Sequence, residues 1–201
     1  MSLAIAMSAA SGQTSCSTMK AHLSAKCAGA RRLALRRNDV SFVADSMLGS
    51  IARKLRIFGF DTLYAKDADD EEILKIGISQ ARVILTADRE FFKRIVKAGA
   101  PGVLVAGKGE VEDIVHILSK NGIRSADAGR IGSRCSICNG LLAPKNISSV
   151  KRSVPDKVAA SRQDFFQCIE CNKVYWEGSH LRRIRVLGKR IDSLLDASVR
   201  D

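Results

Sequence analysis

Two cysteine knuckles set the first limit on what this chain can fold into. Cys135-Ser136-Ile137-Cys138 and Cys168-Ile169-Glu170-Cys171 are separated by residues 139–167. Each CxxC turn can present two thiolates to one ion, and two turns together complete a tetrahedral four-sulfur site. No secretory signal precedes them, so the pairs read as metal ligands in a reducing compartment, the cytoplasm, rather than as disulfides. Four thiolates close the coordination sphere, which makes the expected ion a structural Zn²⁺. His180 is a spare donor that such a set does not need. Asn139-Gly140 gives the first knuckle a tight turn. The long intervening segment must fold back as a hairpin or loop.

Upstream of the knuckles, short apolar runs alternate with helical spacing. Val40–Ala44, Thr62–Ala65, Val83–Thr86 and Val103–Ala106 read as strands. Leu48, Ile51, Ala52, Leu55 and Phe58 recur at helical intervals, and Gly59 is a natural stop. Further helices are expected after Asp69 or Asp70, around Phe91–Val96, and around Val111–Leu118. This alternation implies an α/β fold, a parallel sheet flanked by helices, followed by a small carboxy-terminal zinc ribbon. No apolar run is long enough to span a membrane.

Parallel sheets place their sites at the carboxyl ends of the strands. Asp45 follows the first strand, Asp88 follows the third, and Asp70 and Glu71 stand where a loop enters a helix. Carboxylates brought together repel one another unless a cation sits between them. A hard ion such as Mg²⁺ or Mn²⁺ takes oxygen ligands, and its polarised water can attack a phosphodiester. Each acid also has a simpler explanation. Asp69, Asp70 and Asp88 are ordinary helix caps, Asp45-Ser46 can make a turn, and Asp61 after Gly59-Phe60 reads as a turn residue. Receiver domains and some phosphatases also place Asp after the first strand. Gly107-Lys108-Gly109 lacks the remaining elements of a nucleotide-binding loop.

The net charge of +12 favours a polyanionic partner, and its distribution is uneven. Residues 1–39 carry six Lys/Arg and one acid, residues 40–129 carry 13 of each sign, and residues 130–201 carry 14 basic and 7 acidic residues. Basic residues neutralise phosphates and aromatics stack on unpaired bases, so the ends point to nucleic acid. Arg134, Trp176, Arg182 and Arg183 lie in that basic end. Residues 1–39 are Ser-, Ala- and Arg-rich. They read either as a targeting peptide or, as the pattern favours, a disordered extension or upstream start, with Met19 as an alternative first residue.

The motifs together resemble the PIN-like ribonuclease family named for the carboxy-terminal domain of the Mut-seven exonuclease. Phe42-Val43-Ala44-Asp45-Ser46-Met47-Leu48-Gly49, Ala52-Arg53-Lys54-Leu55-Arg56 and Gly59-Phe60-Asp61 are similar to its opening. Asp70-Glu71-Glu72-Ile73-Leu74 and Ile84-Leu85-Thr86-Ala87-Asp88-Arg89-Glu90 resemble its next two motifs. The knuckles with Tyr175-Trp176-Glu177-Gly178-Ser179-His180 resemble its zinc ribbon. The resemblance runs from Val40 to His180. It implies a PIN-like nuclease domain over 40–129 and a zinc-ribbon module with a basic tail over 130–201.

The resemblance also implies a Mg²⁺- or Mn²⁺-dependent ribonuclease centre of Asp45, Asp70 and Asp88, with Thr86 supporting the last and Asp61 and Glu71 as auxiliaries. Arg53 and Arg56 join Arg134, Trp176, Arg182 and Arg183 as expected RNA contacts. Ala87 stands where the family commonly has arginine, which removes a substrate contact but no metal ligand. The expected function is metal-dependent hydrolysis of RNA. Two alternatives stay open. One is a non-catalytic RNA- or ribosome-binding adaptor built on the ribbon, and the other a phosphatase or receiver using Asp45, which the ribbon fits poorly.

Overall fold

The computed structural model describes residues 40–126 and 131–198. The extension expected over residues 1–39 lies outside the described residues. The elements run β1 (Phe42–Ala44), α1 (Gly49–Ile57), β2 (Thr62–Tyr64), α2 (Asp70–Ser79), β3 (Val83–Thr86), α3 (Arg89–Lys97), β4 (Gly102–Leu104) and α4 (Glu110–Lys120). The ribbon follows as β5 (Leu142–Lys145), α5 (Ile147–Val150), α6 (Asp156–Ser161), β6 (Phe165–Cys168) and β7 (Val174–Trp176), and the chain continues into α7 (Ser179–Ala197).

Four strands form a parallel sheet in the order β2-β1-β3-β4. The two central strands read as unbroken apolar runs because both their faces are covered. Alternate side chains feed two cores. Phe42, Ala44, Val83 and Leu85 point into a layer shared with Ile51, Leu55 and Phe58 of α1 and Ile114, Ile117 and Leu118 of α4. Val43 and Ile84 point the other way, against Ile73 of α2 and Phe91 and Ile95 of α3. The protein is therefore α/β with helices on both faces of a parallel sheet.

The ribbon is a three-stranded antiparallel sheet, β5-β6-β7. The segment expected to be a plain hairpin or loop carries α5 and α6. Its Val150 and Val154 bury against Phe165 and Val174 to make a small third core.

The basic residues beyond the ribbon lie on helix α7. Ile184, Ile191 and Leu195 recur on one face and enter the core of α1 and α4, while Arg182, Arg183, Lys189 and Arg190 stay exposed. Gly188 sits where an added Cβ would lie 3.4 Å from the Phe58 ring, which lets the helix approach closely. Among the described residues no helix is long and apolar enough to cross a membrane.

Candidate functional site

In the order β2-β1-β3-β4 the chain winds outward in opposite directions from β1 and β3. The carboxyl ends of these two strands flank a topological switch point, where open α/β sheets form their binding crevice. Asp45 leaves β1 there, and its N–H still donates to the Leu85 carbonyl of β3 at 3.1 Å. Asp88 follows β3 at the same edge, with its N–H held by Thr86 Oγ1 at 2.9 Å. Asp70 opens α2 after the neighbouring β2.

Each of these aspartates carries a local duty. Asp45 Oδ1 accepts from Met47 N–H at 2.9 Å and caps a single 3₁₀ turn. Asp88 Oδ1 accepts from Glu90 N–H at 2.6 Å and Phe91 N–H at 3.1 Å, capping α3. Helix α2 is capped by Asp69, so Asp70 is free of that task; its Oδ2 pairs instead with Arg94 at 2.9 Å. In Asp45 and Asp88 only Oδ1 is spent on the backbone, and Oδ2 makes no hydrogen bond among the described residues. Asp45 is 6% exposed, yet no buried polar atom among the described residues lacks a partner, so its free oxygen must open to solvent. A nearly buried carboxylate with one open oxygen at a sheet switch point suits a hard cation. Glu71 is exposed in the first turn of α2, and Thr86 is fully buried.

The cysteines converge more tightly. Among the described residues they are the one group of three or more His, Cys, Asp or Glu side chains gathered closely enough to hold an ion, with ligand atoms within 4.8 Å of one another. Cys135 Sγ lies 3.6 Å from Cys171 Sγ, and Cys138 Sγ 3.4 Å from Cys168 Sγ. Without a cation these thiols cannot all ionise. Partial desolvation, and then hydrogen bonding with Cys168, Cys171 and Cys135, push Cys138 up to about 12. Cys135 moves the opposite way. Burial works to raise it, but the Tyr175 hydroxyl at 3.0 Å and the N–H groups of Cys138 and Ile137 outweigh that and lower it to about 6. An all-sulfur donor set of this kind fits Zn²⁺.

Residues 40–187 match the family described as the Mut7-C RNAse domain. The chain belongs to that family. No curated protein and no solved structure matches it. A Mut7-C RNAse domain is a nuclease-type unit whose substrate is RNA, and the match takes in the sheet, the ribbon and the first half of α7.

Within this Mut7-C RNAse domain the basic residues separate into two kinds. Arg53, Arg182 and Arg183 are exposed and make no ion pair among the described residues, and Trp176 is half-buried on β7. Arg56 stands apart from them. It is 6% exposed, and its guanidinium donates to the carbonyls of Thr62 and Ile137 at 2.8 and 2.7 Å, which leaves no face for a phosphate. Burial lowers its pKa against the pull of Cys135, Cys138 and Asp61. Arg134 is likewise engaged, with Asp61 at 3.3 Å and the Asn139 carbonyl at 3.0 Å. Asp61 sits with them at the junction of sheet and ribbon, its Oδ1 taking hydrogen bonds from Arg82 at 2.6 Å and Asn139 at 2.9 Å.

Two acids beyond β4 escaped the sequence reading. Glu110 opens α4 and is bound by Ser50 and Lys54 of α1. Burial alone would raise its pKa, but hydrogen bonds from Lys54 and Ser50 and the charge of Lys54 bring it below the ordinary value. Asp113 is buried in the first turn of the same helix. The signal was present in Glu110-Val111-Glu112-Asp113, an acid-rich first turn after a fourth strand.

Proposed function

We propose that this Mut7-C RNAse domain hydrolyses RNA phosphodiester bonds at a Mg²⁺ or Mn²⁺ site that Asp45, Asp70 and Asp88 complete by closing around the ion, since without it their carboxylates do not gather as closely as the cysteines do. The observation that carries the reading is the open Oδ2 of Asp45 beside the carboxyl end of β3, at the switch point of a parallel sheet. A divalent ion there supplies a polarised water and offsets charge on the scissile phosphate. Asp45 and Asp88 offer it their uncommitted oxygens while their capping bonds hold the carboxylates in place. Thr86 fixes the Asp88 backbone. Asp70 brings an oxygen not engaged by Arg94, and that half-exposed ion pair opens at little expense. Glu71 stands ready as an auxiliary acid one residue on, and Asp61 serves the site indirectly by bracing the ribbon. Arg53, Arg182 and Arg183 neutralise RNA phosphates and Trp176 stacks on an unpaired base, while Arg134 is held at the junction by Asp61 and the Asn139 carbonyl. Zn²⁺ in the thiolate cluster is structural.

The test is Mn²⁺-dependent cleavage of single-stranded RNA by purified protein carrying about one zinc per chain. Asp45→Asn should abolish cleavage while RNA binding and the unfolding midpoint stay near the parental values. Cleavage by the variant at the parental rate would remove the enzyme reading and leave an RNA-binding adaptor.

A further inference from the structure

Strand β2 is an edge strand, bonded to β1 on one side only. The β1 ladder engages the Asp61 carbonyl, through Phe42 N–H, and the Ala65 N–H, through the Ala44 carbonyl. By the alternation of a parallel ladder, the N–H and C=O of Thr62 point away from β1. Thr62 is fully buried, so both groups need partners where no strand exists. Two side chains supply them. Asn139 Oδ1 accepts from Thr62 N–H at 3.0 Å, and Arg56 Nε donates to the Thr62 carbonyl at 2.8 Å.

Both side chains are also part of the thiolate site. Asn139 follows Cys138 directly and closes the knuckle, its N–H donating to the Cys135 carbonyl at 3.0 Å with φ at 73°. Arg56 Nη1 donates to the carbonyls of Ile137 at 2.7 Å and Ser136 at 3.4 Å. A trans peptide sets its C=O and N–H in opposite directions. The two peptide groups held by the guanidinium on one side therefore present the N–H groups of Ile137 and Cys138 on the other, inside the knuckle that Cys135 and Cys138 close. The chain of contacts runs from the sheet edge through Arg56 to the two peptide groups that lie between the cysteines of the first knuckle.

We propose that Asn139 and Arg56 are positioning residues that make metal occupancy of the thiolate cluster and the order of strand β2 a single linked equilibrium. An ion that fixes the knuckle holds Asn139 and Arg56 on Thr62. By reciprocity the docked edge tightens the ion by the same factor. Strand β2 leads to the loop that delivers Asp70, so the linkage reaches the carboxylate site; that last consequence rests on the proposed ribonuclease reading.

The test uses the full chain and needs no RNA. Hydrogen–deuterium exchange is followed in peptides covering β2 and, as a control, β4 at the far edge, before and after zinc is removed by a chelator. In the parent, zinc removal should speed exchange in β2 and leave β4 unchanged. Asn139→Gly keeps the knuckle turn, because glycine accepts the same φ, and deletes the contacts to Thr62 and Asp61. It should speed β2 exchange with zinc bound and hasten zinc transfer to a colorimetric chelator by about 10–100-fold, the usual effect of losing an outer-shell partner. Zinc removal should then add little further exchange in the variant. Zinc transfer at the parental rate, or an equal rise of β2 exchange in both proteins, overturns the linkage. The parent alone decides the matter if the variant does not fold, since loosening of β2 and β4 together, or of neither, also refutes it. A failed cleavage assay would leave this result untouched, and the reverse holds equally.

Discussion

If α7 is part of the nuclease core, then Ile191→Ala must destabilise the whole protein. Ile191 is fully buried in the layer it shares with Ile114, Ile117 and Leu118. The substitution removes three carbons, about 2.4 kcal/mol of transfer energy at about 0.8 kcal/mol each. Close-packed helices relax only partly around the gap, which raises the expected loss to about 3–4 kcal/mol. That is a large share of the roughly 5–15 kcal/mol that holds a domain folded. Urea unfolding followed by circular dichroism measures it directly. With a slope of about 2 kcal/mol per molar the midpoint should fall by about 1.5–2 M while the slope stays constant. Val186 lies on the same helix but is 69% exposed, so Val186→Ala should change stability by no more than about 0.5 kcal/mol. Equal midpoints for Ile191→Ala and the parent would show that α7 is a dispensable tail and that the packing argument is wrong.

Two further outcomes follow from side-chain geometry. Gly77→Ala adds a methyl that would lie 2.5 Å from Cγ1 and 2.6 Å from Cδ1 of buried Ile84. The helix-propensity gain of about 1 kcal/mol should be outweighed by overpacking of about 1–3 kcal/mol, so a lower melting temperature is expected and a higher one refutes the clash. Asp61 titrates below its ordinary value. Burial opposes this, but hydrogen bonds from Arg82 and Asn139 and the charges of Arg82 and Arg134 prevail. A carboxyl lowered by folding stabilises the protein above its unfolded pKa of about 3.9, and that contribution is lost as pH falls through the folded value. Asp61→Asn should therefore cost more stability at pH 7 than in acid, with the difference shrinking as pH falls below about 3.9; a loss that stays the same from pH 7 into acid in urea titrations would contradict the linkage.

The parts of this protein that could be read in the sequence are those fixed by local periodicity. Phe42-Val43-Ala44 and Val83–Thr86 announce themselves because a strand buried on both faces needs an unbroken apolar run. The four thiolates are legible because their spacing is itself the chelate. Helix α7 is legible in principle, since Leu181, Ile184, Leu187, Ile191 and Leu195 keep a helical interval, but its arginines mark it first as a basic tail. Helices α5 and α6 span only four and six residues, too short for periodicity to show. Arg56 could not be placed by pattern at all. A guanidinium in an amphipathic helix reads as surface unless one knows that Thr62 and Ile137 will bring it carbonyls from two distant segments. The same holds for Asp61, whose three partners come from residues 82, 134 and 139.

The capping duties of the aspartates sharpen the question of what they do, because a cap and a metal ligand respond differently to the same substitutions. Asp88 caps α3 through Oδ1 alone, a task that asparagine performs about as well. Asp88→Asn should therefore keep stability within about 0.3–1 kcal/mol, the part owed to its negative charge at a helix N-terminus. Asp88→Ala removes the acceptor and should lose about 1–2 kcal/mol. Cleavage should order the variants differently. Neither asparagine nor alanine restores a charged oxygen for a hard cation, and both should fall by at least about 10²-fold, the scale of removing one group aimed at the reacting phosphate's charge. If activity instead tracks stability, with Asp88→Asn active and Asp88→Ala weak, then Asp88 is a cap and nothing more. If the two orders separate, with Asn stable and inactive, the second oxygen of Asp88 has a function that the helix does not require.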